Sequence, residues 1–312
     1  MKTHHEEIKV LHLIGSMGMG GAEMALSRLI EGHSDYHKNI KHVVVTLSKE
    51  VGVLGERLRE NGVEVYAMDA RSYFSLPLVT IKLALLIRKI KPDIAQTWMY
   101  HANLFGGLVA KLCGVKIVWG IRTTDPTQGA SRLIPILNRI SAKLSKWIPS
   151  KTVFVSNSSQ KYHLNIGYEK SNAVVIPNGF KEPRNKYSAD EINQYKDTIK
   201  LCRDNIIIGS IARYSPVKNH HLFIRAASLV LAKCPKISFV MAGDGLDTNN
   251  SDLMRRLDEA GILDNVVLLG RVENVEKLLA AVDVFCLHSK TEGFPNALAE
   301  AMVCGIPSIT MN

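Results

Sequence analysis

The sequence contains no D-x-D triplet, no CxxC pair and no apolar run long enough to cross a bilayer. Its five cysteines, Cys113, Cys202, Cys234, Cys286 and Cys304, are odd in number and scattered. That argues against a disulfide framework or a structural zinc and for a reducing compartment. His220 and His221 are adjacent, a poor spacing for one ion on a helix, so no metal is expected. Residues 1–7 are too polar for a secretory signal, and the expected location is cytoplasmic. Repeats and low-complexity tracts are absent, and no Ser/His/Asp or Cys/His arrangement marks a nucleophile. Acidic residues are scarce in one stretch. Between Arg71 and Tyr168 stand 14 basic residues and two acids, Asp93 and Asp125. No nucleic-acid-binding motif accompanies this charge, so the alternatives are a solvated basic face and contact with an anionic membrane surface.

What is present is a rhythm. Short apolar runs at 8–14, 42–47, 63–68, 93–97, 116–120, 152–155 and 173–176 read as buried parallel strands, with helical patterns between them. Residues 177–204 are polar and turn-rich. The alternation then resumes with strands at 206–211, 237–241, 266–269, 283–288 and 306–311. For 312 residues this predicts an α/β protein of two doubly wound, Rossmann-like domains facing a cleft. Their expected bounds are 1–180 and 205–312, joined by a linker at 181–204. Residues 75–91 read as a well-buried helix, with a membrane-facing role as the lesser alternative.

The loops after the strands carry the chemistry such folds use. After the first strand comes GSMGMGG, Gly15 to Gly21. In the phrase Gly18-Met-Gly20-Gly21-Ala-Glu23 an acid stands where a dinucleotide fingerprint has its third glycine, and the second strand lacks the ribose-binding acid. A helix N-terminus there remains a ready anion site. After the eighth strand, Arg213 and Lys218 bracket a Pro-containing turn. Two cations suit an anion better than they suit a helix start, where the macrodipole opposes them. After the eleventh strand, SKTEGFPNALAEAMVCGIP runs from Ser289 to Pro307. Glu292 lies in the loop, Pro295 opens a helix, Glu300 lies inside it, and Gly305 ends it. Two carboxylates so spaced can grip two separate hydroxyls of one ligand.

This last stretch resembles the E-x7-E segment of the retaining, nucleotide-sugar-dependent glycosyltransferases of family four, which have the GT-B fold. The phrase from Gly209 to His220 is similar to the family's GRLxxxKN. By this resemblance, Arg213 and Lys218 stabilise the departing diphosphate in place of a metal, and Glu292 contacts the sugar ring. Glu300 takes the donor ribose, and the loop backbone from Phe294 through Pro295 to Asn296 adds diphosphate contacts. Gly20 and Gly21 approach the donor, Gly243 lies in a G-x-G loop, and Val272 lies in the loop bordering the base. Arg122 stands where the family often has a histidine that touches the sugar, which leaves the sugar open.

The implied function is metal-independent, retaining transfer of a sugar from a nucleoside diphosphate, UDP or GDP, with no further cofactor. The implied acceptor is a saccharide or a lipid-linked one in cell-surface glycan synthesis, at the inner membrane face. Family members continue past the GIP strand, so the resemblance also implies a missing C-terminal portion. A nucleotide-sugar epimerase on the same fold and a truncated, non-catalytic sugar-nucleotide-binding protein stay open as alternatives.

Overall fold

The computed structural model describes residues 7–36, 39–70, 76–125, 133–183 and 187–311. Arg71, Ser75, Arg132 and Asn312, which entered the reading of the sequence, lie outside them. The chain divides into two compact units, Met1–Gly179 and Phe180–Asn312.

The first unit is built on seven parallel strands. They are β1 (Ile8–Ile14), β2 (Ile40–Thr46), β3 (Glu64–Ala67), β4 (Ile94–Trp98), β5 (Lys116–Ile121), β6 (Lys151–Phe154) and β7 (Ala173–Val175). Their order in the sheet is β3-β2-β1-β4-β5-β6-β7. Apolar runs such as KVLHLI can be buried on both faces because helices cover both. Helices α1 (Gly21–Tyr36) and α2 (Val53–Glu60) close one core, where Leu26, Leu54 and Leu58 meet Val44 and Trp98. On the other face lie α3 (Leu76–Ile90), the short α4 (Met99–His101) with the π-helical turn Ala102–Gly106, and α5 (Gly107–Leu112). They are followed there by α6 (Leu133–Leu144), and α7 (Asn157–Asn165) adds Leu164 to the same core. Ser156 caps α7 by accepting from the Ser159 amide.

Strand order reverses between β1 and β4, which pair from Val10↔Ile94 to Ile14↔Trp98. Their carboxyl ends are therefore a topological switch point, where open parallel sheets bind ligands. Backbone strain gathers there: Met99, directly after β4, has φ 69° without being glycine.

The second unit repeats the design with β8 (Ile206–Ile211), β9 (Ile237–Ala242), β10 (Val266–Leu268), β11 (Val284–Leu287) and β12 (Ser308–Thr310). The order is β10-β9-β8-β11-β12, all parallel, with its reversal between β8 and β11. The stretch expected to be a plain linker contains a helix, α8 (Ala189–Thr198). Ser188 and Glu191 form its reciprocal capping box, and Tyr195 and Ile199 pack on the Leu201–Ile207–Val240 core. The segment thus belongs to the second unit, because two spaced apolar residues, Tyr195 and Ile199, suffice to dock an otherwise polar helix. Helices α9 (His220–Leu231), α10 (Ser251–Glu259), α11 (Val275–Ala280) and α12 (Asn296–Val303) complete the unit. Gly305 has φ 74° at the end of α12, the left-handed stop its sequence calls for.

Candidate functional site

The switch point of the second unit brings together the two loops richest in functional signals. The loop leaving β8 carries Arg213 to Lys218, and the loop leaving β11 carries Ser289 to Pro295. The backbone joins them where the Lys290 amide donates to the Val217 carbonyl at 2.9 Å. The side chains join them where Lys218 Nζ meets Glu292 Oε1 at 2.5 Å. Both partners are about one-fifth exposed, 23% and 21%, so the pair is only partly screened by water. Residues 74 apart in the chain meet here because β8 and β11 are neighbours.

Two buried histidines brace the first of these loops. His220 at the start of α9 donates from Nε2 to the Arg213 carbonyl at 3.0 Å. His288, directly after β11, donates from Nδ1 to the Lys218 carbonyl at 2.5 Å. Its Nε2 accepts from Ser210 Oγ at 2.7 Å. The rings pack edge to face, 4.8 Å between centroids, and Tyr214 stacks on His220. Burial holds His288 down to about 4, with the neighbouring His220 contributing, and burial also lowers His220. Both rings are therefore neutral near pH 7, as acceptance from Ser210 requires of His288 Nε2. Asn219 takes a left-handed φ of 56° between Lys218 and α9, turning the chain from loop to helix. Neither histidine's bracing role is visible in sequence; the one cue is that HS closes an apolar run.

Gly243, after β9, has φ 141°, and a Cβ there would lie 2.1 Å from the Ala212 carbonyl oxygen. Its amide donates to the Gly270 carbonyl at 2.6 Å, so this glycine locks three strand-end loops together. In the same layer Tyr214 N donates to the Asp244 carbonyl at 2.7 Å, and Arg271 Nε bonds the Asp244 carboxylate at 3.1 Å. Val272 packs its side chain into the Leu201–Val240 core. Phe294 stacks on Phe180 with 5.8 Å between centroids. Pro295 occupies the N-cap position of α12, which has no side-chain cap, and Asn296 begins the helix. Glu300 lies on the next turn, and its carbonyl accepts from the Cys304 amide. Ser215 Oγ and Ser289 Oγ, one in each switch-point loop, are buried and find no hydrogen-bond partner among the described residues.

Three predicted residues fall in the first unit. Gly21 begins α1, and Gly20 precedes it. The Glu23 carboxylate folds back over Gly20, where a Cβ would be 2.3 Å from its Oε2, and accepts from Ser16 Oγ at 3.1 Å. The helix N-terminus thus faces a carboxylate of its own first turn. Arg122 follows β5 and is largely buried. Its guanidinium lies 4.7 Å over the Trp98 ring and donates from Nη1 to Asn178 Oδ1 at 3.1 Å and to the Ile176 carbonyl at 3.3 Å. Its Nε finds no partner among the described residues, and burial lowers the group to about 10. His101, at the end of the short α4, is exposed.

Comparison with known proteins agrees with both halves of the chain. Residues 19–182 match the model of Glycosyltransferase Family 4, and residues 192–312 match that of Glycosyl transferases group 1. The Vi polysaccharide biosynthesis protein VipC/TviE of Salmonella typhi is 25% identical over 95% of this chain, which spans 58% of that protein's length. The UDP-Gal:alpha-D-GlcNAc-diphosphoundecaprenol alpha-1,3-galactosyltransferase of Escherichia coli is 25% identical over 100% of this chain and 81% of its own length. Among solved structures, Anabaena Alr3699/HepE in complex with UDP-glucose superposes with a TM-score of 0.82 at 22% identity, covering 97% of this chain and 80% of that one. The two parallel-sheet α/β units have the GT-B fold. The chain belongs to Glycosyltransferase Family 4.

Proposed function

We propose that this chain is a retaining, metal-independent glycosyltransferase that moves a sugar from a nucleoside diphosphate to a lipid-linked or polysaccharide acceptor in cell-surface glycan synthesis. The observation that carries the reading is the switch point of the second unit. Arg213 and Lys218 leave β8 there, and Glu292 faces Lys218 from the loop after β11.

Breaking a glycosyl–phosphate bond builds negative charge on the diphosphate. Cations fixed beforehand stabilise that charge more than the ground state. An ammonium has three donors, so Lys218 can keep Glu292 and still donate to diphosphate oxygens. The His288 and His220 bonds hold the backbone that carries both cations. The first-turn amides of α12 and the Ser215 and Ser289 hydroxyls are further donors in the same layer. Glu292 and Glu300 are assigned to sugar and ribose hydroxyls. Val272 belongs to the loop bordering the base, and Gly243, in its G-x-G loop, is assigned to donor binding. Gly20 and Gly21, at the N-terminus of α1, and Arg122 are assigned to donor binding.

The Escherichia coli relative, whose name specifies UDP-galactose and a diphosphoundecaprenol acceptor, supports a UDP-sugar and a lipid-linked acceptor here.

Thermal melts with UDP, GDP and ADP and their sugars, with and without EDTA, test the reading. One base should raise the melting temperature regardless of EDTA, and Glu300→Ala should abolish the rise. Stabilisation by none of the three, or only with a divalent ion, refutes it.

A further inference from the structure

The layer formed by α3, α5 and α6 carries an apolar surface that its packing does not use. These helices share one face of the first sheet, and each already buries a stripe in the core: Val79, Leu83 and Ile87 from α3, Val109 and Ala110 from α5, and Ala142 from α6. A surface helix of a globular domain ordinarily has one such stripe. Here each helix has a second one facing out. On α3 it is Leu78, Ile81 and Leu85; on α5, Leu108 and Leu112; on α6, Leu133, Ile136 and Ile140. Trp147, in the turn after α6, is 71% exposed, and Leu112 is 77% exposed. Of the 21 exposed large apolar side chains among the described residues, nine lie between Leu78 and Trp147.

The charge on this layer has one sign. The three helices contain no Asp or Glu, whereas Lys82, Arg88 and Lys89 stand on α3, Lys111 on α5, and Arg139 and Lys143 on α6. The layer on the opposite face differs, because α1 and α2 mix acids with bases: Glu23 and Glu31 with Arg28, and Glu56 and Glu60 with Arg57 and Arg59. Apolar side chains interleaved with long cations, and an aromatic ring at the border, match the boundary of an anionic bilayer. There the apolar tips enter and the cationic heads stay with the phosphates. No helix among the described residues is long and apolar enough to cross a membrane, so the contact would be a surface one.

We propose that the outer face of α3, α5 and α6 docks flat on an anionic lipid bilayer. This deepens the glycosyltransferase reading, on which its purpose rests. With one helix layer, about 10 Å thick, between lipid and sheet, the carboxyl ends of the first sheet open sideways just above the surface. A saccharide carried on a lipid diphosphate projects to that height.

The test needs no donor and no turnover, so its failure is separate from failure of the enzymatic reading. Trp98 and Trp119 are buried and Trp147 is exposed, which makes tryptophan emission a reporter of this face. The intact chain is mixed with vesicles of phosphatidylcholine alone or with phosphatidylglycerol. Cosedimentation and an emission blue shift are expected with the anionic vesicles, falling as salt is raised. Trp147→Phe should lose the shift. Leu112→Glu with Ile136→Glu should lower partitioning at least tenfold while the melting temperature and UDP-sugar binding stay unchanged. Lys111→Glu with Lys143→Glu, which leaves the apolar side chains in place, should lower it by a similar factor. Failure to sediment with anionic vesicles, equal partitioning of the paired variants, or self-association through this face in place of vesicle binding would overturn the proposal.

Discussion

His288 donates its Nδ1 proton to the carbonyl of Lys218 at 2.5 Å, although 70 residues separate the two. The bond fixes the ring's tautomer, leaves Nε2 to accept from Ser210, and ties the cation-bearing loop to the strand beside it. His288 therefore acts as a positioning residue for Lys218. Removing it would leave two buried polar groups unpaired, a cost of about 1–3 kcal/mol for each. His288→Ala is expected to lower kcat far more than it raises KM, since misplacement by about 1 Å can cost on the order of 10² in rate. His288→Asn, whose amide donates to the same carbonyl, should recover part of the loss. A kcat equal to that of the parent would show that the bond has no positioning role.

Arg213 and Lys218 are expected to act on the leaving diphosphate. Replacing either by Ala should cost on the order of 10²–10³ in transfer rate. The test is single-turnover transfer with radiolabelled donor, because saturating donor then separates binding from chemistry. The Lys218→Ala and Glu292→Ala effects should not add, because the two side chains are bonded to each other.

Stability should fall on mild acidification. Burial holds His42, His163 and His288 down to about 4 and His12 well below its ordinary value. These rings stay neutral in the folded protein while the unfolded chain takes up protons below about 6.5. Their contribution is thus complete above pH 6.5 and lost as pH drops toward 4, by at most about 1.4 kcal/mol per pH unit for each ring. Urea midpoints measured from pH 8 to 4.5 should be flat at first and then fall. A midpoint that rises on acidification contradicts this account.

Gly243→Ala should lower the melting temperature and weaken donor binding together. The substitution forces a Cβ against the Ala212 carbonyl and a side chain into φ 141°, strain worth about 1–3 kcal/mol. Gly261→Ala is the control: φ is also positive there, at 66°, but a Cβ meets nothing within 4 Å. If both variants lose equally, the close approach at Gly243 contributes nothing beyond backbone strain.

Much of the fold was legible because every strand is a short apolar run fed by a helix, the one pattern that buries both sheet faces. Helix α8 was less so. Ser188-x-x-Glu191 is a readable capping signal, but the helix sits in polar, proline-punctuated sequence and docks through few apolar residues. In the site, Arg213, Lys218 and Glu292 stood out as charged residues in strand-end loops, and Glu300, inside α12, through the resemblance of the phrase that begins at Glu292. His288, His220 and the Ser215 and Ser289 hydroxyls did not, because their partners are assigned by strand order and only the folded sheet reveals it. Arg122 illustrates both sides: its position could be read, but not the Trp98 ring beneath it nor the Asn178 side chain it grips.

A polar seam crosses the first sheet beneath α1. Trp98 Nε1 donates to His12 Nδ1 at 3.4 Å, His12 Nε2 bonds His42 Nδ1 at 2.9 Å, and His42 Nε2 bonds His33 Nδ1 at 3.1 Å. An indole can only donate, so each imidazole in turn must carry its proton on Nε2, and the seam has one direction. Trp98, His12 and His42 stand on β4, β1 and β2, two positions apart across each pair of strands. A slip of one residue would turn one of them to the far face and strand buried nitrogens in hydrocarbon. The seam therefore proofreads assembly: where valine and isoleucine would accept many alignments of these three strands, the linked rings accept one.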